Sequence, residues 1–466
     1  MVKGVQCMKL RDKGLQKLIH KYNVPGPRYT SYPTAVQFKE MTDRSELDSA
    51  LSKRASMPKV MSLYFHIPFC FSLCWYCGCT KIITRDQDRG DSYLNYLEKE
   101  AELVKSSLHS QSTAKQIHFG GGTPTFLTPV QLRRLGEIIR NNFNVHEKVE
   151  FSVEIDPRRC TEDHIKALHE IGVNRASLGV QDTNEEVQKA IHRIQPFEQT
   201  LNVTRLLRKL GIENINFDLI YGLPMQTPET FAQTIEDVTA LEPDRFAIYS
   251  YAHIPSIMPA QKLLNENQFP KTEDKLSMLV YAIDKLPEYG YRYIGMDHFA
   301  KAGDELCRAM DEGSLHRNFQ GYSTHSELEM IALGISGISQ GEDLYYQNEK
   351  DIGRYYAALE EGELPVKKIL SLTEEDKLRR KVIMQIMCRG EVNYNRFFKE
   401  TGVDFMEKFS QELNQMKAFE KDGLVQQHIG GFKITDRGRL FLRNISMLFD
   451  GFINEKQHKT AYSKTV

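Results

Sequence analysis

The sequence contains no apolar run approaching the roughly 18 residues that a membrane-spanning helix requires. Its amino-terminal stretch, MVKGVQCMKLRDKGLQKLIH, scatters charge through every candidate apolar core, so it does not read as a secretory leader. Cytoplasmic residence is the expectation. An excess of one charge is also missing, since 61 Lys+Arg face 62 Asp+Glu for a formal charge of -1. That balance argues against a nucleic-acid or membrane-surface partner gripped through bulk charge and leaves only local basic patches open. Cysteine is sparse, at eight in 466 residues, and unevenly spread. Cys70, Cys74, Cys77 and Cys79 crowd together, while Cys7, Cys160, Cys307 and Cys388 are dispersed and read as buried or incidental thiols. A disulfide framework would be more even and would suit a small secreted domain. A local cluster in a reducing compartment points to metal.

With 41% hydrophobic and 26% charged residues, the chain is able to bury a large core, and its length allows about three domains or one large α/β barrel with appendages. From residue 62 onward, short β-branched runs alternate with amphipathic stretches. The strand candidates are SLYFHI (62–67), QIHF (116–119), EFSVEI (150–155), RASLGV (175–180), INFDLI (215–220), RFAIYSY (245–251) and YRYIGM (291–296). Helical patterns such as PVQLRRLGEIIRNNF and PETFAQTIEDVTALE lie between them, entered through Thr or Pro. Strand–helix–strand alternation predicts a parallel sheet with helices outside. A full or partial (β/α) barrel fits better than two unrelated sheets, though an open doubly wound sheet would carry the same Gly, Pro and polar tips after its strands. The domain expectation is an arm over 1–45, a barrel with extensions over 46–365, and a helical carboxyl-terminal domain over 366–466. KYNVPGPRYTSYPTA, with three prolines and three tyrosines, reads as extended rather than helical. Helix, short hairpin and helix after residue 370 resemble a winged helix, whose mixed charges favour a structural or lid role over nucleic-acid reading.

The segment YFHIPFCFSLCWYCGCT directly follows the first strand. Cys70, Cys74 and Cys77 form C-x3-C-x2-C, with Cys79 two residues on. Three thiolates hold three irons of a [4Fe–4S] cluster and leave the fourth open to a chelating ligand. Structural zinc favours paired C-x2-C knuckles, which are absent here. Cys79 as a fourth ligand would close the cluster, but its spacing from Cys77 makes joint ligation of one cubane awkward. Gly120–Gly122 with Thr123 and Pro124 either let a ligand approach backbone or serve a tight turn, and no Lys-Ser/Thr follows to make a phosphate loop. Glu154 alternates with Phe151, Val153 and Ile155, which turns it inward and able to accept from an ammonium. Arg193 is able to fork onto a carboxylate, but by its local pattern alone it belongs on a solvated helix face. Gln181 and Asp218 sit near two further strand ends. His66, His298 and His316 read as hydrogen-bonded structural groups, His66 being the exception to watch for its place four residues before Cys70.

Together PGPRYTSYPTA, HIPFC…CGCTKI, HFGGGTPT, SVEIDPR, GVQD, NFDLIYGLP, GMDHFA and HRNFQGY resemble the oxygen-independent coproporphyrinogen III oxidase (dehydrogenase) family of the radical S-adenosylmethionine superfamily. The resemblance runs from about residue 15 to the carboxyl terminus. It implies an α/β fold built on a partial (β/α)6-type radical SAM barrel, with an extended amino-terminal arm and a mostly helical, winged-helix-like carboxyl-terminal domain. It further implies oxidative decarboxylation of coproporphyrinogen III to protoporphyrinogen IX in haem biosynthesis. There a 5′-deoxyadenosyl radical would abstract hydrogen from propionate side chains. The implied cofactors are a [4Fe–4S] cluster on Cys70, Cys74 and Cys77 and S-adenosylmethionine, in two molecules. The implied contacts to the latter are Tyr64, Tyr76, Gly121, Gly122, Thr123, Glu154, Gln181, Arg193, Asp218, Ala252 and Ile338.

Tyr64, His66, Glu154 and Gln320 are the candidate catalytic groups, and the arm from Arg28 to Tyr32 and Phe319 are placed near the site. Trp75-Tyr76 departs from a pair that commonly ends in Phe, which keeps adenine stacking and adds a hydroxyl. A tetrapyrrole substrate, an electron donor, an electron acceptor and a single-chain state complete the expectation, with neither nucleic acid nor membrane as partner. The main rival is a haem-trafficking relative. A plain electron carrier and a nucleic-acid-modifying radical enzyme are further ones.

Overall fold

The computed structural model describes residues 13–318, 321–325, 328–453 and 462–465. Six strands run parallel and adjacent: β1 (Val60–Ile67), β2 (Thr113–Gly121), β3 (Val145–Ile155), β4 (Arg175–Gln181), β5 (Asn214–Tyr221) and β6 (Arg245–Ser250). The first five contain the runs that the sequence alternation marks as strand, and β6 covers its run except for Tyr251. Helices between them are stopped and started by local chemistry. Thr128, Thr161 and Thr227 each accept a backbone N–H at the start of Pro129–Asn142, Glu162–Glu170 and Pro228–Thr239.

Alternation along each strand separates two environments. Phe151, Val153 and Ile155 of β3 join the apolar core under the helices, whereas Glu150, Ser152 and Glu154 line the interior of the barrel. On β5, Phe217 and Leu219 pack outward while Asn214, Asn216 and Asp218 face in. The parallel register then sets Glu154 level with Ser177, and Gly179 level with Asp218. A bulge between Gly179 and Gln181, with Gln181 at φ 68°, turns the end of β4 toward the mouth.

Two departures from the sequence reading occur. YRYIGM forms Tyr291–Gly295, but this strand pairs antiparallel with His298–Lys301, which itself runs antiparallel to β6. Gly295 and Met296 (φ 152° and 52°) supply the sharp reversal that ends the βα rhythm there. The seventh parallel strand is instead Glu329–Leu333, paired to β1 on the opposite edge and extended antiparallel through Ile338–Gln340, Leu344–Asn348 and Val366–Ser371. The result is an open sheet of 13 strands whose parallel centre is a partial barrel. Glu100, 1% exposed on the helix Asp88–Ser106, binds this added edge to the barrel. It accepts from Gly334 N (2.7 Å), Asn348 Nδ2 (2.6 Å) and the Tyr355 hydroxyl (2.6 Å).

Helices Glu374–Arg389, Tyr394–Thr401 and Ser410–Lys421 surround a three-stranded sheet of Glu391–Asn393, Gly431–Ile434 and Val425–His428, a winged-helix arrangement. Its apolar core also takes in Leu15, Ile19 and Tyr22 from the helix Lys13–Tyr22. After that helix the backbone from 23 to 34 carries no helix, and residues 24–26 pair with 463–465. No helix among the described residues is long and apolar enough to cross a membrane.

Candidate functional site

At the carboxyl-terminal end of the parallel strands, the loop after β1 is pinned at both ends. Phe69–Cys70 pairs with Ile82–Ile83, and Cys77 N donates to Cys74 O at 3.2 Å within it. His66 holds the loop from below. Its Nε2 lies 2.9 Å from Thr80 O, an atom that only accepts, so Nε2 carries the proton and Nδ1 accepts from the Tyr64 hydroxyl at 3.0 Å. Burial pushes the imidazole down from its ordinary pKa and keeps it neutral. His66 is thus committed through both nitrogens, and it does not line the cavity above.

That cavity, about 700 Å³, is bounded by Cys70, Cys74 and Cys77 on one side. Tyr76, Gly121, Gly122, Thr123, Glu154, Gln181, Arg193 and Asp218 complete it, so eight of the eleven residues expected to contact S-adenosylmethionine meet the three thiols there. Tyr64 stands behind them, stacked on His118 with centroids 5.7 Å apart. Ala252 lines an adjoining cavity, and Ile338 packs beside Phe38 and Tyr345. Phe319 and Gln320 lie outside the described residues.

The glycines answer first to packing. A Cβ on Gly122 would come within 2.7 Å of the Pro68 carbonyl, and one on Gly121, at φ +113°, within 2.6 Å of His66. Gly122 N and Thr123 N donate to Ile67 O and Phe69 O at 2.8 and 2.9 Å, so the triplet lies directly against the base of the cysteine loop. Glu154 accepts from Gly121 N at 3.1 Å and lies 3.4 Å from His118 Nε2, which leaves accepting capacity toward the cavity.

Arg193 overturns the surface expectation, being 6% exposed. Its Nη2 donates to Gly179 O at 2.7 Å, and its Nη1 lies 3.1 Å from Asp156 Oδ2 and 3.6 Å from Cys74 Sγ. Its Nε is buried with no partner among the described residues, a donor that an anionic ligand would satisfy. Arg158 adds a second guanidinium 3.4 Å from Cys74 Sγ and 2.6 Å from Asp156. Neither Asp156 nor Arg158 stood out in the sequence beyond the polar DPRR tip that follows β3, and His118 gave no signal at all.

Burial pushes the Asp218 carboxyl up to about 7, against hydrogen bonds from Ser177 Oγ (2.8 Å) and Asn216 Nδ2 (2.9 Å). Burial likewise raises the Cys70 thiol to about 11, whereas hydrogen bonding with Cys79 and the nearby Lys81 draw Cys77 down to about 6. Among the described residues no three His, Cys, Asp or Glu side chains converge on a single ion, yet the three thiols face one space. Thiols around a shared cavity, two guanidiniums to balance thiolate charge and an orphaned arginine donor fit an iron–sulfur cluster beside a zwitterionic ligand.

Comparison with known proteins agrees with this geometry. Residues 64–238 match the radical SAM superfamily and residues 372–441 match the HemN C-terminal domain. The chain is 44% identical over 440 residues to the oxygen-independent coproporphyrinogen III oxidase of Pseudomonas aeruginosa, covering 94% of this chain and 95% of that one. It is 43% identical over 449 residues to the enzyme of the same name from Helicobacter pylori strain 26695, covering 96% and 98%. The solved coproporphyrinogen III oxidase (HemN) of Escherichia coli, described as a radical SAM enzyme, superposes with a TM-score of 0.88 at 40% identity, covering 91% of this chain and 98% of that one.

Proposed function

The chain belongs to the oxygen-independent coproporphyrinogen III oxidase family of the radical SAM superfamily, and on that premise we propose that it converts coproporphyrinogen III to protoporphyrinogen IX. In each of two rounds a propionate would lose a β-hydrogen atom, one electron and carbon dioxide, leaving a vinyl group. The carrying observation is that Cys70, Cys74 and Cys77 share one cavity with Glu154, Arg193 and Asp218. When bound, a [4Fe–4S] cluster and S-adenosylmethionine supply the adenosyl radical that takes the hydrogen.

The chain's own residues hold and shield. Glu154 offers its free carboxylate capacity to the ammonium of the methionine moiety, and Arg193 Nε its unused donor to the carboxylate. Asp218 accepts from ribose hydroxyls, and Tyr76 provides a ring for adenine. Arg158 and Arg193 balance the thiolate of Cys74. His66 acts through position, joining the Tyr64 hydroxyl to the loop at Thr80 O, and Tyr64 keeps its expected contact with S-adenosylmethionine. The resemblance implies two molecules of S-adenosylmethionine, and the main cavity of about 700 Å³, which holds eight of the expected contacts, is the space that would take them. The reading also requires an external electron donor and an acceptor for the substrate electron. The haem-trafficking alternative is not favoured, because similarity to the named oxidases extends over almost the whole chain.

Anaerobic reconstitution with iron and sulfide, followed by assay with S-adenosylmethionine and coproporphyrinogen III, tests the proposal. It expects protoporphyrinogen with two deoxyadenosines per product. An iron–sulfur spectrum without either product would refute it. Equilibrium dialysis with S-adenosylmethionine expects two bound per chain.

A further inference from the structure

Beside the main cavity, at the carboxyl-terminal ends of β5 and β6, lies a second one of about 400 Å³. Tyr251, Phe269, Leu276 and Leu279 give it apolar and aromatic walls, and Lys275 and Lys464 are its lining lysines. No Asp or Glu lines it among the described residues.

Lys275 occupies this position against its local interests. It lies in the first turn of the helix Thr272–Lys285, where the positive end of the helix disfavours a cation. Its ammonium donates to the Tyr251 carbonyl at 3.1 Å and, among the described residues, forms no ion pair with a carboxylate. Burial, then Arg28 and Lys464, depress its pKa to about 8. The site is nevertheless built for it: Gly222, at φ +85°, leaves the space that the Lys275 stem fills, since a Cβ there would overlap Lys275 Cε. Lys464 is fixed by its bridge to Pro25 and by Arg443 Nη1, which donates to the Lys464 carbonyl at 2.8 Å. Arg28 lies close by, donating to Ser250 O at 2.9 Å and sharing Asp297 at 3.5 Å. Two lysines therefore line a half-apolar cavity, and the third cation, Arg28, reaches its edge at the Ser250 carbonyl while paired with Asp297 outside the lining.

We propose that this cavity is a carboxylate subsite, in which Lys275, assisted by Lys464, anchors one of the peripheral carboxylates that the tetrapyrrole keeps. The proposal rests on the functional reading above. A carboxylate that must depart as neutral carbon dioxide gains nothing from a strong ion pair, whereas a retained one is a permanent handle. The cavity's ring-lined walls suit the pyrrole that bears it.

The test is anaerobic equilibrium binding of coproporphyrinogen III to the cluster-loaded full chain, with S-adenosylmethionine binding measured in parallel. Lys275→Gln is expected to raise the Kd for coproporphyrinogen about ten-fold or more, Lys275→Arg to restore most of it, and Lys464→Gln to cost about three-fold. The Kd for S-adenosylmethionine should not move. A Lys275→Gln protein with full iron content and unchanged coproporphyrinogen affinity would overturn the subsite, as would a loss confined to S-adenosylmethionine. If Lys275→Gln loses its iron, Lys464→Gln decides, and an unchanged Kd there overturns the proposal. Wild-type protein that neither binds nor converts coproporphyrinogen would instead sink the functional reading, and the subsite with it.

Discussion

Arg193 and Asp156 form a buried ion pair, 3.1 Å from Nη1 to Oδ2, and the same guanidinium nitrogen reaches Cys74 Sγ at 3.6 Å. One cation thus serves a carboxylate from the tip of β3 and a thiol of the cysteine loop. Although burial alone would raise it, Arg193 and Arg158 hold the Asp156 carboxyl well below the usual range.

Asp156→Asn leaves two buried guanidiniums facing a neutral amide. Breaking such a pair costs about 3–5 kcal/mol, which a urea titration should report as a lower midpoint at unchanged slope. The companion Arg193→Gln in the same chain should recover part of the loss, because the uncompensated charge is then removed.

Serine at Cys70, Cys74 or Cys77 should abolish deoxyadenosine release and lower bound iron after reconstitution. Serine at Cys79 should leave iron content near wild type. Its backbone N–H, which reaches Cys77 Sγ at 3.4 Å, survives that change. Iron and sulfide analysis of the four variants separates ligands from neighbour.

Burial pushes the Asp218 carboxyl up to about 7, which favours the carboxylate above that pH and the acid below it. If ribose hydroxyls bind the carboxylate form, affinity for S-adenosylmethionine should rise about ten-fold from pH 6 to pH 8. Asp218→Asn should bind weakly and flatten that profile, as read by equilibrium binding across pH.

Glu100 is raised by burial from 4.5 to about 7. The folded state therefore holds its proton more tightly than the unfolded chain does, and stability falls as pH rises from about 4.5 through 7. Glu100→Gln keeps the size and an accepting oxygen. Its stability relative to wild type should climb by up to about 3 kcal/mol across that window, measurable as diverging urea midpoints.

Much of the barrel was legible because β1 to β6 repeat a two-residue alternation between helices, and that pattern depends only on neighbours in sequence. Pairing partners do not. YRYIGM looks like another barrel strand, yet Gly295 and Met296 reverse it into an antiparallel hairpin. The true seventh parallel strand, Glu329–Leu333, hides in a glycine-bearing stretch with no clear period. The cluster cysteines declared themselves by spacing. Arg193 could not, since its burial depends on Asp156 and Cys74, which only the folded barrel brings near. Lys275 was invisible for the same reason: a lysine opening a helix reads as solvated until Gly222 and the 462–465 segment enclose it.

The pairing of residues 24–26 with 463–465 also sets an order of assembly. Thr465 Oγ1 donates to Tyr22 O at a sequence separation of 443, among the longest closures between described residues. Such a closure gains nothing until both lobes that carry its halves have already formed. The arm bearing Arg28 should therefore latch last, so a nascent molecule acquires its cysteine pocket well before it acquires the clasp that encloses Lys275.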